Sequence, residues 1–261
     1  MVKPVFLGID LAWGDRNPSG LAALRFDDRR RKFVLFSHAC LTSDDEIIAW
    51  VRSHRTPTTV LGIDAPIVAP NPPGVGRPCD GEVTSAFGKF HAGTYPANRV
   101  KCARPVRLRR KLERLGFQPD PSFRARSSGR RQIEVFPHPA QVVLFNLSRI
   151  LKYKKGRLSQ RRKGLAQLAS HLRRDLPRLR PALAANAALR GLCKSVITVR
   201  GGAKLKAVED ILDAVVCAYV AGYYWFWGKR RCRVFGDIRT GYIVVPYRPE
   251  RLKPRAVSVM R

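Results

Sequence analysis

The sequence predicts an α/β fold in which helices cover a sheet that contains both parallel and antiparallel strands. Two apolar segments of strand length, "VFLGID" and "VLGID", end in the same Gly-Ile-Asp, and a helical segment lies between them. A strand, a crossover helix and a second strand in that order imply parallel pairing with a right-handed connection. The segments that follow the first strand are spaced like a three-stranded antiparallel meander, so we expect a mixed sheet.

The N-terminal part of the chain supplies four strands and one helix. The helix begins with a capping-box sequence, because Ser43 is followed three residues later by Glu46, ahead of the apolar run "IIAWV". The polar turn "DDRRR" separates the second strand from the third. The four expected strands cover Val5–Asp10, Ser19–Phe26, Lys32–Ala39 and Thr58–Asp64.

The rest of the chain is richer in helix and in basic residues. A Pro/Gly-rich loop follows the fourth strand, and a fifth strand begins at Gln132 and stops at Pro137. The expected helices cover Lys101–Phe117, Arg149–Arg180 and Lys204–Trp225, and a hairpin or edge strand covers Gly236–Pro246. No low-complexity linker divides the chain. We therefore expect one domain over residues 1–250, with a largely helical insert at about 140–200, and a basic tail at 251–261.

The charge balance indicates a polyanionic partner. The 261 residues include 50 Lys and Arg but only 19 Asp and Glu, which gives a formal net charge of +31. Such a field concentrates polyanions, so nucleic acid is the first partner to expect and an anionic membrane the second. General arginine enrichment, with the extra charges merely solvated, is the alternative explanation.

Neither a membrane span nor an oxidising compartment is indicated. The longest apolar segment, "AVVCAYVAGYYWFW", is shorter than the roughly 20 residues that a bilayer span needs, and the N-terminal apolar run is too short for a signal peptide. The six cysteines show no CxxC spacing, which argues against a zinc site or a disulfide framework. We expect a cytoplasmic protein with reduced thiols and no membrane partner.

Two of the carboxylates stand at strand ends that should be neighbours. Asp10 and Asp64 each follow a buried strand, and ligands of open α/β sheets collect outside the carboxyl ends of such strands. Two like charges a few ångströms apart repel each other, and a cation between them removes the repulsion. The other interpretation is that each aspartate caps a turn. The repeated ending favours a metal site.

The last helix carries two more acidic residues on one face. Asp210 and Asp213 are three residues apart, and small residues in the same segment, Ala214, Ala218 and Ala221, would let this helix lie close to the sheet. Favourable interaction of acidic groups with the first turn of a helix is the structural alternative. We expect at least one of the two to be a metal ligand, with Asp213 favoured over Asp210.

These segments together resemble the ribonuclease-H-fold nucleases. The "DILDA" segment is similar to that of the Holliday-junction resolvases. A closer resemblance is to a group of predicted nucleases known as domain of unknown function 429, carried by "GIDLAW", "GIDAPI", "EVFPHPA", "YKKG" and the late "EDILDA". Each motif is short, but their order is shared from about residue 5 to residue 246. Glu209 stands beside Asp210 where the group has an Asp-Asp pair, so the identity of the helix ligand stays open.

The resemblance implies a fold and a set of site residues. The implied sheet has five strands in the order 3-2-1-4-5. Asp10, Asp64 and Asp213 are the implied core ligands, and Asp210 is a further candidate. Glu134, in "EVFPHPA", occupies another acidic position of the group; it is either a catalytic residue of the same site or a buried carboxylate paired with an arginine.

The residues permit hydrolysis of DNA or RNA without a covalent nucleophile. Carboxylates without a cluster of Cys or His favour Mg²⁺ or Mn²⁺, and two such ions promote in-line attack of water on a phosphodiester. The basic helices would bind phosphates, and His138 is a candidate proton carrier unless it is structural. The aromatic run "YYWFW" is either core or a base-stacking surface, with core favoured.

Two other functions remain open from the sequence. The segment "GIDLAWGDRNPSG" is somewhat like the first phosphate loop of sugar kinases and actin-like proteins, but those need two lobes and this chain has length for one. A non-catalytic nucleic-acid-binding protein would keep the basic surface and use the acids only structurally. The sequence gives no oligomeric state.

Overall fold

A computed structural model describes residues 2–247, which form a mixed seven-stranded sheet, a separate two-stranded sheet and seven α-helices. Both the α/β class and the mixed sheet expected from the sequence are confirmed. The expected basic tail at 251–261 lies outside the described residues. The strands are β1 Val5–Asp10, β2 Ser19–Asp27, β3 Lys32–Leu41, β4 Thr58–Ile63, β5 Gln118–Pro119, β6 Gly129–Glu134, β7 Ala182–Leu183, β8 Cys232–Asp237 and β9 Gly241–Pro246.

The large sheet has the order β5-β6-β4-β1-β2-β3-β7, so the expected number of five strands was wrong. Strands β5 and β7 contain two residues each and extend the two edges, and segments this short carry no alternating pattern in the sequence. Strand β1 pairs antiparallel with β2 and parallel with β4, and β4 pairs parallel with β6. The expected C-terminal hairpin is β8 and β9, which form the small second sheet.

The helices are α1 Asp44–His54, α2 Pro78–Phe87, α3 Ala103–Arg114, α4 Pro137–Phe145, α5 Leu158–Arg174, α6 Ala187–Thr198 and α7 Gly202–Trp227. Helix α1 begins with the expected capping box: Ser43 Oγ accepts the backbone N–H of Glu46, and the Glu46 carboxylate accepts the N–H of Ser43. The basic helices expected over Arg149–Arg180 were wrong at their start. Helix α5 begins only at Leu158, and the preceding residues form a loop.

Helix α7 is the central element of the core. Every residue from Val208 to Phe226 is buried, because strands β1, β2 and β4 cover one side of the helix and α4, α5 and α6 pack against it elsewhere. A helix that is apolar on all sides is stable only when it is enclosed in this way. Its acidic residues are therefore buried with it. None of the helices within residues 2–247 combines the length and apolar character that a bilayer span requires.

Candidate functional site

The repeated Gly-Ile-Asp ending brings two carboxylates together at the carboxyl ends of two central strands of the sheet. Asp10 is the last residue of β1, and Asp64 directly follows β4, its parallel neighbour. The backbone N–H of Asp64 donates to the carbonyl of Ile9 at 2.8 Å, which extends the pairing of the two strands to this point. The side chains of Asp10 and Asp64 are 11% and 19% exposed, so both reach solvent in part, at a point that we call the acidic recess.

The glycines of the same motif explain why α7 lies directly on the sheet. Gly8 and Gly62 are paired in register, and a Cβ atom built on Gly8 would lie 1.9 Å from the carbonyl oxygen of Ala214. A Cβ on Gly62 would lie 2.5 Å from the carbonyl oxygen of Cys217. Only glycine permits this approach of backbone to backbone. The small side chains of the helix, such as Ala214, allow the same close contact. The turn of α7 that carries Asp210 and Asp213 therefore lies beside Asp10.

A lysine occupies the point where the three carboxylates converge. Lys154 Nζ lies 2.9 Å from Oδ2 of Asp213 and 3.9 Å from Oδ2 of both Asp10 and Asp64. The lysine comes from the loop before α5, which the sequence had assigned to a helix. Its side chain is 33% exposed, whereas that of Asp213 is fully buried. One ammonium group therefore faces three carboxylates, and only that of Asp213 lies within ion-pair contact of about 3 Å.

Two buried polar side chains fix the orientation of Asp213. The Tyr153 hydroxyl donates to Asp213 Oδ1 at 2.7 Å, and Gln141 Nε2 donates to the same oxygen at 3.2 Å and to the Tyr153 hydroxyl at 2.7 Å. Within the described residues, Asp213 Oδ2 accepts no hydrogen bond, because the nearby Lys154 ammonium is poorly aligned for one. Tyr153 and Gln141 thus hold one oxygen and leave the other facing Asp10 and Asp64.

Burial and mutual repulsion make this cluster unfavourable for full ionisation. Burial raises the pKa of Asp10 and raises that of Asp64 further, while the Lys154 ammonium lowers both. The two carboxyl groups are close enough to share a hydrogen bond, and each is also repelled by Asp213. Burial by itself would lower the pKa of Lys154, but the three aspartates raise it well above its usual value. The ammonium therefore stays charged, and this single positive charge faces three carboxyl groups.

A second acidic group lies one helical turn away. Asp210 Oδ1 is bound by Lys206, whose ammonium also lies 3.3 Å from Glu209, and Arg161 reaches Glu209 at 3.1 Å. Burial and the charge of Asp10 raise the pKa of Asp210 to about 7. Asp210 Oδ2 is buried and has no hydrogen-bond partner in the described part of the chain. Asp10 thus stands between Asp213 and Asp210, the two expected helix residues.

Glu134 is engaged elsewhere. Its two carboxylate oxygens accept hydrogen bonds from Arg77 at 2.7 and 2.8 Å, and Arg77 also binds Asp80. The backbone N–H of Ile67 donates to Glu134 as well, at 3.2 Å. Glu134 therefore forms the arginine pair that the sequence left open as its alternative role. Burial raises its pKa to about 7 against the opposing effect of Arg77.

His138 lies beside the cluster as a neutral ring. Its ring centroid is 5.7 Å from that of Tyr153, and its Nδ1 atom is buried without a hydrogen-bond partner among residues 2–247. Burial and the Lys154 charge lower the pKa of His138 to about 4, so the imidazole is uncharged at neutral pH. The expected role of His138 as a proton carrier stays a prediction.

The basic helices divide into structural and exposed cations. Arg104 is 2% exposed: it binds Asp44 and donates to the carbonyl oxygens of Ala12, Gly14 and Thr42, which anchors the loop after Asp10. In α5, Arg162 donates to backbone carbonyls of the α6 region and is structural too. Exposed cations on these helices and their flanks include Lys101, Arg110, Arg114, Lys163, Arg173 and Arg174. The aromatic run in α7 is mostly buried core, as the sequence favoured.

The donor set suits a hard divalent cation, although Lys154 holds the central position. Carboxylate oxygens are the ligands that Mg²⁺ and Mn²⁺ prefer, and the hydrogen-bond-free Oδ2 atoms of Asp213 and Asp210 offer two of them. As they stand, no three His, Cys, Asp or Glu side chains within residues 2–247 already form a closed metal site. Binding of an ion would require the flexible Lys154 side chain to share or leave its place.

Sequence reasoning missed Lys154, Tyr153 and Gln141. The motif "YKKG" contains two of these residues and is part of the family resemblance, but its basic character predicts a helix. Gln141 follows "PHPA" and carried no signal of its own. The signal that could have indicated the site was a lysine next to a tyrosine in a short segment that ends in glycine.

Comparison with known proteins identifies the family and nothing closer. A family model described as a protein of unknown function, DUF429, matches residues 8–237. No curated protein and no solved structure matches the chain significantly. The matched range includes all of the acidic residues described above and the loop that carries Lys154. The chain is therefore a member of the DUF429 family.

Proposed function

We propose that this protein is a metal-dependent nuclease that hydrolyses phosphodiester bonds of DNA or RNA, with a fold of the ribonuclease H type. The observation that carries the proposal is the convergence of Asp10, Asp64 and Asp213 within 3.9 Å of one ammonium nitrogen, in a chain of net charge +31. A positively charged surface attracts a polyphosphate, and an acidic recess within that surface binds a cation in contact with it.

The acidic residues divide into two candidate ligand groups around Asp10. Asp64 and Asp213 would hold one Mg²⁺ or Mn²⁺ ion together with Asp10, and Asp210 would hold a second ion with the same aspartate. When bound, such ions lower the pKa of water and stabilise the charge on the leaving oxygen. Tyr153 and Gln141 keep Asp213 Oδ2 turned into the recess, through their hydrogen bonds to Oδ1.

Lys154 supports the proposal as a mobile positive charge. Its ammonium neutralises the acids in the free protein, and its side chain is one-third exposed, so it can turn towards a phosphate oxygen of a bound substrate. The His138 ring beside Tyr153 stays uncharged at neutral pH, since its pKa is lowered to about 4, so it adds no positive charge to the ion-binding group. Arg104 keeps the loop after Asp10 in place by its bonds to backbone carbonyls.

The test is cleavage of labelled single-stranded DNA, duplex DNA and RNA by the purified protein in Mg²⁺, Mn²⁺ or EDTA. We expect cleavage in at least one metal and none in EDTA. Asp10→Asn and Asp64→Asn should each lower the cleavage rate by about a thousandfold or more, because each removes a charge from the ion-binding group. Asp28→Asn is the matched control. Asp28 is exposed in the β2–β3 turn, at the end of the strands opposite to Asp10.

Each other outcome identifies a different function. Saturable nucleic-acid binding without cleavage in any metal would indicate a non-catalytic binding protein. Turnover of ATP would indicate a phosphotransferase. Cleavage that survives both asparagine substitutions would show that the activity belongs to another site or to a contaminant.

A further inference from the structure

Two exposed aromatic side chains lie on the loops that surround the acidic recess. Tyr95 is 69% exposed in the loop between α2 and α3, and Trp13 is 36% exposed in the loop that follows Asp10. Large aromatic residues are normally enclosed by the protein, as most of those in α7 are here. Exposed aromatic rings on loops connected to the acidic residues are available to contact a bound ligand.

Tyr95 is attached directly to the loop that carries Lys154. The neighbouring residue, Lys155, donates from its ammonium to the Tyr95 hydroxyl at 2.8 Å. Lys154 and Lys155 are consecutive, so one loop contacts both the acidic recess and Tyr95. Lys155 contacts the ring at its hydroxyl edge, and the high exposure of the side chain leaves most of the ring surface in solvent.

Both rings stand on loops that are held firmly in place. The residues beside Tyr95 are tied to α2: the Thr94 hydroxyl donates to the carbonyl of Asp80 at 3.0 Å, and the Ala97 N–H donates to the Asp80 carboxylate. The loop of Trp13 is bound on both sides by Arg104, through the carbonyl oxygens of Ala12 and Gly14. A ring on a fixed loop loses little entropy when it stacks on a ligand.

We propose that Tyr95 and Trp13 stack on unpaired bases, so that the nucleic acid bound at this site is single-stranded where it crosses the recess. This inference rests on the proposed function and specifies its substrate class. Bases in a duplex cover one another's faces, whereas an unpaired base offers a face to an aromatic ring. The exposed cations of α3 and α5 supply phosphate contacts that do not depend on strand number, so the two rings select the single strand.

The experiment measures binding without cleavage. Fluorescence anisotropy in EDTA would follow a labelled 15-nucleotide oligo-dT, the matching oligo-U and a blunt DNA duplex of the same length, with the full chain. We expect the single strands to bind more tightly than the duplex. Tyr95→Ala and Trp13→Ala should each weaken single-strand binding by about tenfold and change duplex binding less than about twofold.

Two further variants separate stacking from other effects. Tyr95→Phe keeps the ring and loses only the hydroxyl, so it should bind single strands within about twofold of the wild type. Phe36→Ala removes an exposed aromatic ring on β3, away from the recess, and should change nothing. Unchanged thermal unfolding of both alanine variants confirms that any lost affinity is local.

Several results would overturn the inference. Equal losses for duplex and single strand after Tyr95→Ala or Trp13→Ala, no loss for either, or tighter binding of duplex by the wild type would each do so. If cleavage requires Asp10 and Asp64 but is indifferent to both rings, this inference alone fails. If the rings select single strands but no metal supports cleavage, the proposed nuclease activity alone fails.

Discussion

Two of the buried acid clusters within residues 2–247 are neutralised in different ways. Glu134 and Asp80 share Arg77, which makes four hydrogen bonds to their carboxylate oxygens at 2.7 to 3.1 Å. Asp10 and Asp64 share Lys154 with Asp213, yet Lys154 Nζ lies 3.9 Å from each of them, beyond hydrogen-bond distance. In the first, the closed cluster, every carboxylate oxygen accepts a hydrogen bond from one guanidinium. In the second, the open cluster, one ammonium faces three carboxyl groups.

The difference indicates which acids are structural. A guanidinium that binds carboxylates in pairs gives a rigid and fully satisfied contact, and Arg77 is only 3% exposed. An ammonium is a single flexible charge that can be displaced. We therefore infer that the Arg77 cluster holds the loop after β4 in place, whereas the Lys154 cluster is organised for a cation or substrate from outside.

The largest expected effect comes from breaking the closed cluster. Arg77→Met leaves Glu134 and Asp80 buried without a counter-ion, so the free energy of unfolding should fall by about 3 to 5 kcal/mol. Urea denaturation at pH 7 measures the change. Arg110→Met, an exposed cation on α3, is the control and should stay within about 0.5 kcal/mol of the wild type. A loss below about 1 kcal/mol for Arg77→Met would mean that the Arg77 cluster is not a structural contact of the kind proposed.

The next effect distinguishes the open cluster by its response to metal. Without divalent ions, Lys154→Met leaves three carboxylates without their cation and should lower the free energy of unfolding by about 2 kcal/mol. Mg²⁺ should restore this stability and stabilise the variant more than the wild type, because the ion no longer competes with the ammonium. Thermal unfolding in EDTA and in Mg²⁺ measures both effects without any activity assay.

Lys155→Met is the control for that experiment, since Lys155 is the exposed neighbour that binds Tyr95. It should match the wild type both in its stability in EDTA and in its response to Mg²⁺. A Lys154→Met protein that is as stable as the wild type in EDTA, and gains nothing from Mg²⁺ or Mn²⁺, would mean that the recess does not demand a cation.

The smallest effect is a pH dependence assigned to Asp210. Its pKa in the folded protein is about 7, raised by burial and by Asp10, against roughly 4 in an unfolded chain. The folded state therefore binds this proton more tightly, and its stabilising contribution is lost as pH rises from about 4 to about 7. Asp210→Asn removes this loss, so its stability relative to the wild type should rise by about 1 to 2 kcal/mol between pH 5 and pH 7.

Urea denaturation at the two pH values measures the difference. Asp45→Asn, at an exposed position of α1, is the control and should show no change between them. If Asp210→Asn instead tracks the wild type at both pH values, Asp210 is ionised in the folded protein with an ordinary affinity for its proton. In that case Asp210 would not belong to the open cluster, which would contain only Asp10, Asp64 and Asp213.

Much of the fold was predictable because its signals are local. The Gly-Ile-Asp endings, the capping box at Ser43 and the continuous apolar segment of α7 each lie within a short stretch, and each is present in the structure. Strands β5 and β7 were not predictable, since pairing of two residues depends on a neighbouring strand and not on their own pattern.

The candidate site was predictable only as far as the sheet positions it. The parallel pairing of β1 with β4 places Asp10 beside Asp64, and this pairing follows from the order of strand, helix and strand. The partners of the acids were not predictable, because Lys154 and Arg77 lie in or next to irregular loops whose path is determined by packing. The chain has 50 lysines and arginines, so the sequence did not indicate which of them would pair with which acid.

The sequence by itself determined that acidic residues end two neighbouring strands and that a helix with small residues carries further acids towards them. Apolar periodicity, strand order and glycine at close contacts are sufficient for this, because they act over short range. The tertiary structure alone decided that Glu134 is closed off by Arg77 while Asp10, Asp64 and Asp213 share one displaceable lysine. Charge pairing acts between side chains distant in sequence, so it is fixed only when the loops have packed.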